Sequence, residues 1–184
     1  MRRTATVLFL AFVVIVAMAT AAFASSVHLK GGAHAEPAFT DGGLFLSASG
    51  ALAGLGNGDV IVNLDATGNA TATCTNPGSG VHQPPGQNPA PITVSGAQRI
   101  PAGEIKNGTT PFDVSTTGPV TPIPGAPGCP NPNWIEDITD LAFTTATITV
   151  EQPPGTVVLT VVCTFDPPTS DGPVPAGTVS CTSS

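Results

Sequence analysis

The chain has 184 residues, of which 9% are charged, and it contains 21 glycines and 20 prolines. Five Lys and Arg residues against 12 Asp and Glu residues give a net charge of −7 at pH 7. Such an acidic surface repels nucleic-acid phosphates and anionic lipid head groups, so neither is an expected partner.

The first 24 residues have the pattern of a secretory signal peptide. Arg2 and Arg3 form a positive start, residues 7–18 are apolar, and Ala22-Phe23-Ala24 supplies a small-residue cleavage pattern. An uncleaved anchor is the less favoured alternative, because a spanning helix usually needs about 20 apolar residues. Cleavage after Ala24 predicts a secreted protein of residues 25–184, about one domain in size, with no membrane attachment. This mature chain keeps three cations and all 12 acidic residues, a net charge of −9.

Short alternating segments between Gly- and Pro-rich turns predict about eight or nine strands. The first two candidates are Val27–Lys30 and Leu44–Leu52. The clearest alternation follows the turn Gly56-Asn57-Gly58-Asp59 and places one set of residues on a common face: Val60, Val62, Leu64, Ala66, Ala70, Ala72 and Cys74. Gly68 predicts a bulge or bend in this strand, or its division into two.

The later strands are predicted at Ile92–Gln98, Pro111–Thr117, Trp134–Thr139, Thr144–Glu151, Thr156–Phe165 and Thr178–Cys181. Val158 and Val162 oppose the main apolar face of their strand, which predicts that this strand is buried on both sides or lies centrally. The proline-rich loops Asn76–Pro91 and Gly118–Asn133 are either candidate binding surfaces or stiff connections.

Together these elements predict an all-β fold, an antiparallel β-sandwich of immunoglobulin-like or jelly-roll type. A strict immunoglobulin domain is not supported, because Trp134 follows Cys129 and the chain has no Tyr.

Four cysteines allow three disulfide pairings in an exported chain. The pairing Cys74–Cys129 with Cys163–Cys181 is favoured over the other two. Cys163 and Cys181 align with the inward residues of their strands, and Cys74 ends a strand to which the loop carrying Cys129 can return. We expect each bond to be structural and to stabilise the fold by roughly 2–4 kcal/mol. A redox-active pair more often has the Cys-x-x-Cys spacing, which is absent.

The sequence has no strong catalytic or metal-binding motif. Gly-x-Ser-x-Gly and His-Glu-x-x-His are both absent, so we expect no catalytic residue, no metal site and no cofactor. Two acidic groups are weaker calcium candidates, since neither has the Asp-x-Asp-x-Asp-Gly loop: Glu136, Asp137 and Asp140, and the pair Asp166 and Asp171. On a regular strand Glu136 and Asp140 would share one face. Trp134 is expected to fill the core at a strand start or, alternatively, to form a surface contact.

Several segments resemble a group of uncharacterised secreted β-rich proteins of high-GC Gram-positive (actinobacterial-type) bacteria. The resemblance covers roughly residues 36–165 and is carried by residues 52–60 (LAGLGNGDV), 74–77 (CTNP), 84–90 (PPGQNPA), 105–108 (IKNG) and 129–134 (CPNPNW). It implies export and a Cys74–Cys129 bond, and it transfers no catalytic residue. Cys163, Cys181 and the tail from Asp166 depart from that group.

The sequence therefore favours a secreted, non-enzymatic structural or interaction module with an extracellular partner that the sequence does not identify. Two alternatives stay open: an extracellular hydrolase that uses dispersed carboxylates, and a calcium-dependent adhesion domain.

Overall fold

The computed structural model describes residues 27–32, 34–78 and 89–184. The predicted signal peptide, residues 1–24, lies outside the described residues, as do residues 79–88 of the first proline-rich loop. The described chain forms ten strands: β1 His28–Leu29, β2 Ala38–Asp41, β3 Leu46–Ala53, β4 Val60–Thr75, β5 Ile92–Ile100, β6 Thr110–Ser115, β7 Ile135–Glu151, β8 Val157–Phe165, β9 Gly172–Pro173 and β10 Val179–Ser183. A single 3₁₀ turn, Ala102–Glu104, joins β5 to the segment before β6.

The strands form two antiparallel sheets that pack face to face, which confirms the predicted β-sandwich. Sheet 1 has the order β10-β8-β7-β4-β5. In sheet 2, β3 pairs with β6 on one edge and with β1 and β2 on the other, and β9 continues beyond β2.

The core lies between the sheets and follows from the alternation of apolar residues. In β4 every second residue from Val60 to Cys74 is buried, as the sequence predicts. The largest fully buried side chains come from both sheets and include Leu46, Leu52, Leu64, Leu141, Phe143 and Ile148. Because burying one such side chain contributes roughly 1.5–3 kcal/mol, this shared core holds the two sheets together.

The long pair β4–β7 differs from the sequence-based expectation. β4 is one continuous strand of 16 residues, and β7 joins the two strands predicted at 134–139 and 144–151. The irregularities lie in β7, where the register against β4 shifts once between Thr67 and Gly68 and again between Thr71 and Ala72. Gly68 faces the first shift, and a Cβ there would lie 3.1 Å from the Ala142 carbonyl oxygen. The glycine therefore marks the right place, but the bulge is in the partner strand.

β8 lies between β10 and β7, in agreement with the central placement. Burial on both sides is wrong, because Val162 is 44% exposed and Val158 is only partly buried. The outer face of sheet 1 is open at this strand. Of the face that the alternation predicts to be inward, Leu159, Val161, Cys163 and Phe165 are buried, whereas Val157 at the start of the strand is 55% exposed.

The two sheets meet along the edge formed by β5 and β6. The Ser95 carbonyl oxygen accepts a hydrogen bond from the Thr117 backbone N–H at 2.9 Å, and the Asp113 backbone N–H donates to the Gln98 side chain at 2.9 Å. Gly96 permits this approach, since a Cβ there would lie 1.9 Å from the Ser115 carbonyl oxygen. This contact fixes the position of β5 and of the outward side chains that it carries.

Candidate functional site

Both disulfides have the favoured pairing. Cys74, buried at the end of β4, bonds to Cys129 in the second proline-rich loop, with 5.7 Å between the Cα atoms. Cys163 and Cys181 lie directly opposite each other on β8 and β10. Two such bonds fit an oxidising, extracellular-type environment.

Trp134 lies immediately before β7 and is half-buried. Its backbone N–H donates to the Asn131 carbonyl oxygen at 3.0 Å, which closes a tight turn at the end of the second proline-rich loop. The residue is therefore neither deep in the core nor fully exposed. Its role as a surface contact stays a prediction.

The first acidic group is divided by the fold. No residue of β4 lies opposite Thr139, because Thr71 pairs with Asp140 and Ala72 pairs with Ile138. This extra residue shifts the inward–outward alternation of β7 by one position. Glu136 points inward, is 1% exposed and accepts a hydrogen bond from the Gly128 backbone N–H at 2.9 Å. Asp140 lies on the other side, next to the inward Leu141, and the expectation that Glu136 and Asp140 share a face is wrong. Within the described ranges, no group of three or more His, Cys, Asp and Glu residues is arranged to hold a metal ion.

Asp41 is a buried carboxylate that the sequence analysis did not single out. It is 3% exposed, its Oδ1 accepts from the Gly43 N–H at 2.9 Å, and its Oδ2 accepts from the Thr169 hydroxyl. Thr169 Oγ1 in turn accepts from the Phe143 N–H at 2.8 Å. Burial raises the pKa of Asp41, and repulsion from Asp140 and Asp171 acts in the same direction, against the lowering effect of its two hydrogen bonds.

The Asp41–Thr169 pair connects the end of β2 and the loop that carries Thr169 to one edge of β7. β8 pairs with β7 only from Thr145 onward, so β7 backbone groups before Thr145 need other partners on that edge. Thr169 exchanges hydrogen bonds with Phe143, and the Gly43 carbonyl oxygen accepts from the Leu141 N–H at 2.8 Å. We interpret the Asp41–Thr169 pair as structural, because its polar atoms are occupied by protein partners.

The outer face of sheet 1 carries a regular array of hydroxyl side chains, here called the hydroxyl grid. Three rows of residues run across the five strands from β10 to β5. The pairing between strands defines them as Ser184-Thr160-Thr149-Asn63-Ala97, Thr182-Val162-Thr147-Asp65-Ser95 and Ser180-Thr164-Thr145-Thr67-Thr93. Eleven of these 15 positions are Ser or Thr, and Asp65 is the one charged residue among them. Neighbouring rows are about 7 Å apart and neighbouring strands about 4.8 Å apart.

A shallow recess lies at the β5 side of this grid and is open to solvent. It has a volume of about 490 Å³, and its polar lining consists of Asn63, Asp65, Ser95, Thr149 and Glu151. Gly96 and Ala97 complete the wall.

Both carboxylates of the recess are held by neighbouring donors. Glu151 accepts from the Asn63 side-chain amide at 3.0 Å and from the Gly155 backbone N–H at 2.7 Å. The Ser95 hydroxyl donates to Asp65 Oδ1. Glu151 pairs with Ile61, four residues along β4 from Asp65, so the two carboxylate-bearing positions are about 14 Å apart along the strands.

Arg99 and Lys106, the cations on and after β5, both have protein partners outside the recess. Arg99 follows the recess residues on β5, but its guanidinium contacts Asp59 at 2.6 Å, and this hydrogen bond lowers the pKa of Asp59. The Lys106 ammonium donates to the Gly103 carbonyl oxygen at 2.9 Å. Neither Lys nor Arg lines the recess.

The sequence alone identifies only part of this site. The alternation in β4 and β7 predicts that Asn63, Asp65 and Thr149 point outward, and Glu151 is among the dispersed carboxylates considered for hydrolysis. The alternation does not reveal which strands are neighbours, so it cannot assemble the rows. A signal was present in the repeated outward Thr residues of four predicted strands.

Comparison with known proteins adds no assignment. No protein-family model, curated protein or solved structure matches the chain significantly. In the part of the chain that the structure describes, no helix is long and apolar enough to span a membrane.

Proposed function

We propose that this protein is an exported, disulfide-stabilised β-sandwich that acts as a non-enzymatic extracellular interaction module. Export is supported by the pattern of residues 1–24 and by the two disulfides. The resemblance to secreted proteins of high-GC Gram-positive bacteria points in the same direction.

The observation that carries a binding function is the arrangement of carboxylates in the recess. Glycoside hydrolysis typically uses two carboxyl groups that face the scissile bond, one of them as an acid and the other as a nucleophile or base. Asp65 and Glu151 are instead each held by protein donors in a recess open to water. This geometry favours recognition of a surface over turnover of a substrate.

The first test is the intact mass of the protein released by its host, measured with and without reduction and thiol alkylation. A mass that begins at Ser25, with no thiol available before reduction, is the expected result. A mass of the full 184 residues would contradict cleavage after Ala24, and free thiols before reduction would contradict the two disulfides.

The second test separates a binding module from the alternative hydrolase. We expect no turnover of a panel of esterase, glycosidase and protease substrates by the purified mature protein. Turnover that disappears in Asp65→Asn or Glu151→Gln, and persists in a variant of the exposed Asp113, would replace the binding function with the hydrolase.

A further inference from the structure

Hydrogen-bond acceptors outnumber donors in the recess. A carboxylate accepts up to about four hydrogen bonds. Asp65 receives one from the Ser95 hydroxyl, and Glu151 receives two, from Asn63 and from Gly155. A ligand that matches this surface therefore needs to donate several hydrogen bonds.

The charges around the recess narrow the chemistry of that ligand. The mature sequence contains three Lys and Arg residues, and of these Arg99 is paired with Asp59 and Lys106 with the Gly103 carbonyl oxygen. Phosphate- or carboxylate-bearing ligands would meet two carboxylates without a compensating cation. The adjoining hydroxyl grid is uncharged except for Asp65, and its Ser and Thr hydroxyls both donate and accept. The carboxylates disfavour an anionic ligand, and the uncharged hydroxyl grid favours a neutral ligand that carries many hydroxyl groups.

The spacing of the recess favours a chain over a single sugar. Asp65 and Glu151 lie at positions about 14 Å apart, with Asn63 and Thr149 between them. Consecutive units of a polymer can follow these positions along the whole recess, whereas a single sugar ring covers only part of them.

We propose that the recess binds a neutral polysaccharide, whose hydroxyls donate to Asp65 and Glu151 along the β4–β7 pair. This proposal rests on the proposed function as an interaction module and names the class of its partner. None of the recess residues is aromatic, so ring stacking does not contribute and each sugar unit binds weakly. Binding therefore depends on several units at once, and the polymer binds where the free monosaccharide does not.

The test is native affinity electrophoresis of the mature, disulfide-bonded protein in gels that contain dextran, arabinogalactan or soluble starch. At least one of these neutral polymers is expected to retard the protein, and its monosaccharide at the same sugar concentration is not. The double variant Asp65→Asn/Glu151→Gln is expected to raise the half-retarding polymer concentration about tenfold or more, because hydrogen bonds to charged groups are lost. The matched control Asp113→Asn/Glu104→Gln removes two exposed carboxylates outside the recess and is expected to leave retardation unchanged.

Three results would overturn the proposal. The first is a lack of retardation by all three polymers, and the second is an equal loss in the recess and control variants at equal unfolding midpoints. The third is binding to cationic chitosan oligomers alone, if that binding disappears as NaCl is raised from about 0.01 to 1 M. Such salt dependence indicates purely electrostatic attraction, because the Debye length falls from roughly 30 to 3 Å over this range. If only the glycan proposal is wrong, the protein is exported and shows no turnover but binds none of these polymers. If the proposed function is wrong, the protein shows turnover or is not exported.

Discussion

Asp41 is a carboxyl group that folding removes almost completely from water. Burial raises its pKa, so the folded state holds the Asp41 proton more strongly than the unfolded state does. Its contribution to stability is therefore fully present below the unfolded pKa, about 3.9, and is lost as the pH rises through the folded pKa. The hydrogen bonds that Thr169 and Gly43 donate favour the ionised carboxylate and oppose this rise in the pKa.

We predict that Asp41→Asn lowers the free energy of unfolding by a smaller amount as the pH rises from about 3.5 to about 7. The amide carries no charge at either pH, and its oxygen can still accept from the Gly43 N–H. Urea unfolding of both proteins across this range measures the difference in free energy of unfolding. Asp113→Asn, an exposed change on β6, controls for the loss of one negative charge. A pH-independent difference between Asp41→Asn and the parent would contradict the buried, protonatable carboxylate.

β10 is held only weakly by side-chain burial. None of its five residues is buried, and it pairs with β8 alone in sheet 1. On its other edge, the Cys181 N–H donates to the Glu36 carboxylate at 3.3 Å. The disulfide to Cys163 closes a loop with a sequence separation of 18, for which the chain-entropy estimate is about 3 kcal/mol. The covalent bond is therefore a main reason that the final strand stays in place.

We predict that Cys163→Ala/Cys181→Ala releases β10 before the rest of sheet 1. Amide exchange in β10 is expected to become at least about tenfold faster, with a smaller change in β4 and β7, because local openings need less energy than global unfolding. Hydrogen-exchange mass spectrometry on peptides from the last strand measures this effect. The matched variant Cys74→Ala/Cys129→Ala is expected to accelerate exchange in residues 118–133 instead. Unchanged protection of β10 would show that its ladder with β8 suffices without the bond.

At the scale of elements, regular alternation was predictable and its interruptions were not. The inward residues of β4 and β6 follow directly from their period of two, as Phe112 and Val114 illustrate. β2 was missed because four residues carry too short a pattern to distinguish a strand from a turn. The continuity of β7 was missed because its two bulges reset the alternation, and a bulge exists only relative to the partner strand.

At the scale of the whole molecule, the sandwich class was predictable but the recess was not. Outward positions such as Asn63 and Thr149 follow from alternation within each strand. Their proximity follows from the order β10-β8-β7-β4-β5, which places β7 beside β4 although about 60 residues separate the two strands in sequence. Such pairing is decided by burial of the shared core, to which both sheets contribute, and no local pattern encodes it.

The charge of the mature chain also acts on the molecule as a whole. Twelve acidic residues against three cations produce self-repulsion that opposes the compact state. We therefore predict that NaCl raises the melting temperature modestly, and that CaCl2 at matched ionic strength raises it by the same amount. The reason for equality is geometric: Glu136 and Asp41 are buried and hydrogen-bonded to protein donors, so their oxygens are not accessible to a solvated calcium ion beside Asp140 or Asp171. Differential scanning fluorimetry measures both titrations, and MgCl2 separates divalent screening from calcium binding. A rise specific to calcium would favour the calcium-dependent adhesion domain, because a ligand that binds only the folded state stabilises it more as the ligand concentration exceeds the dissociation constant.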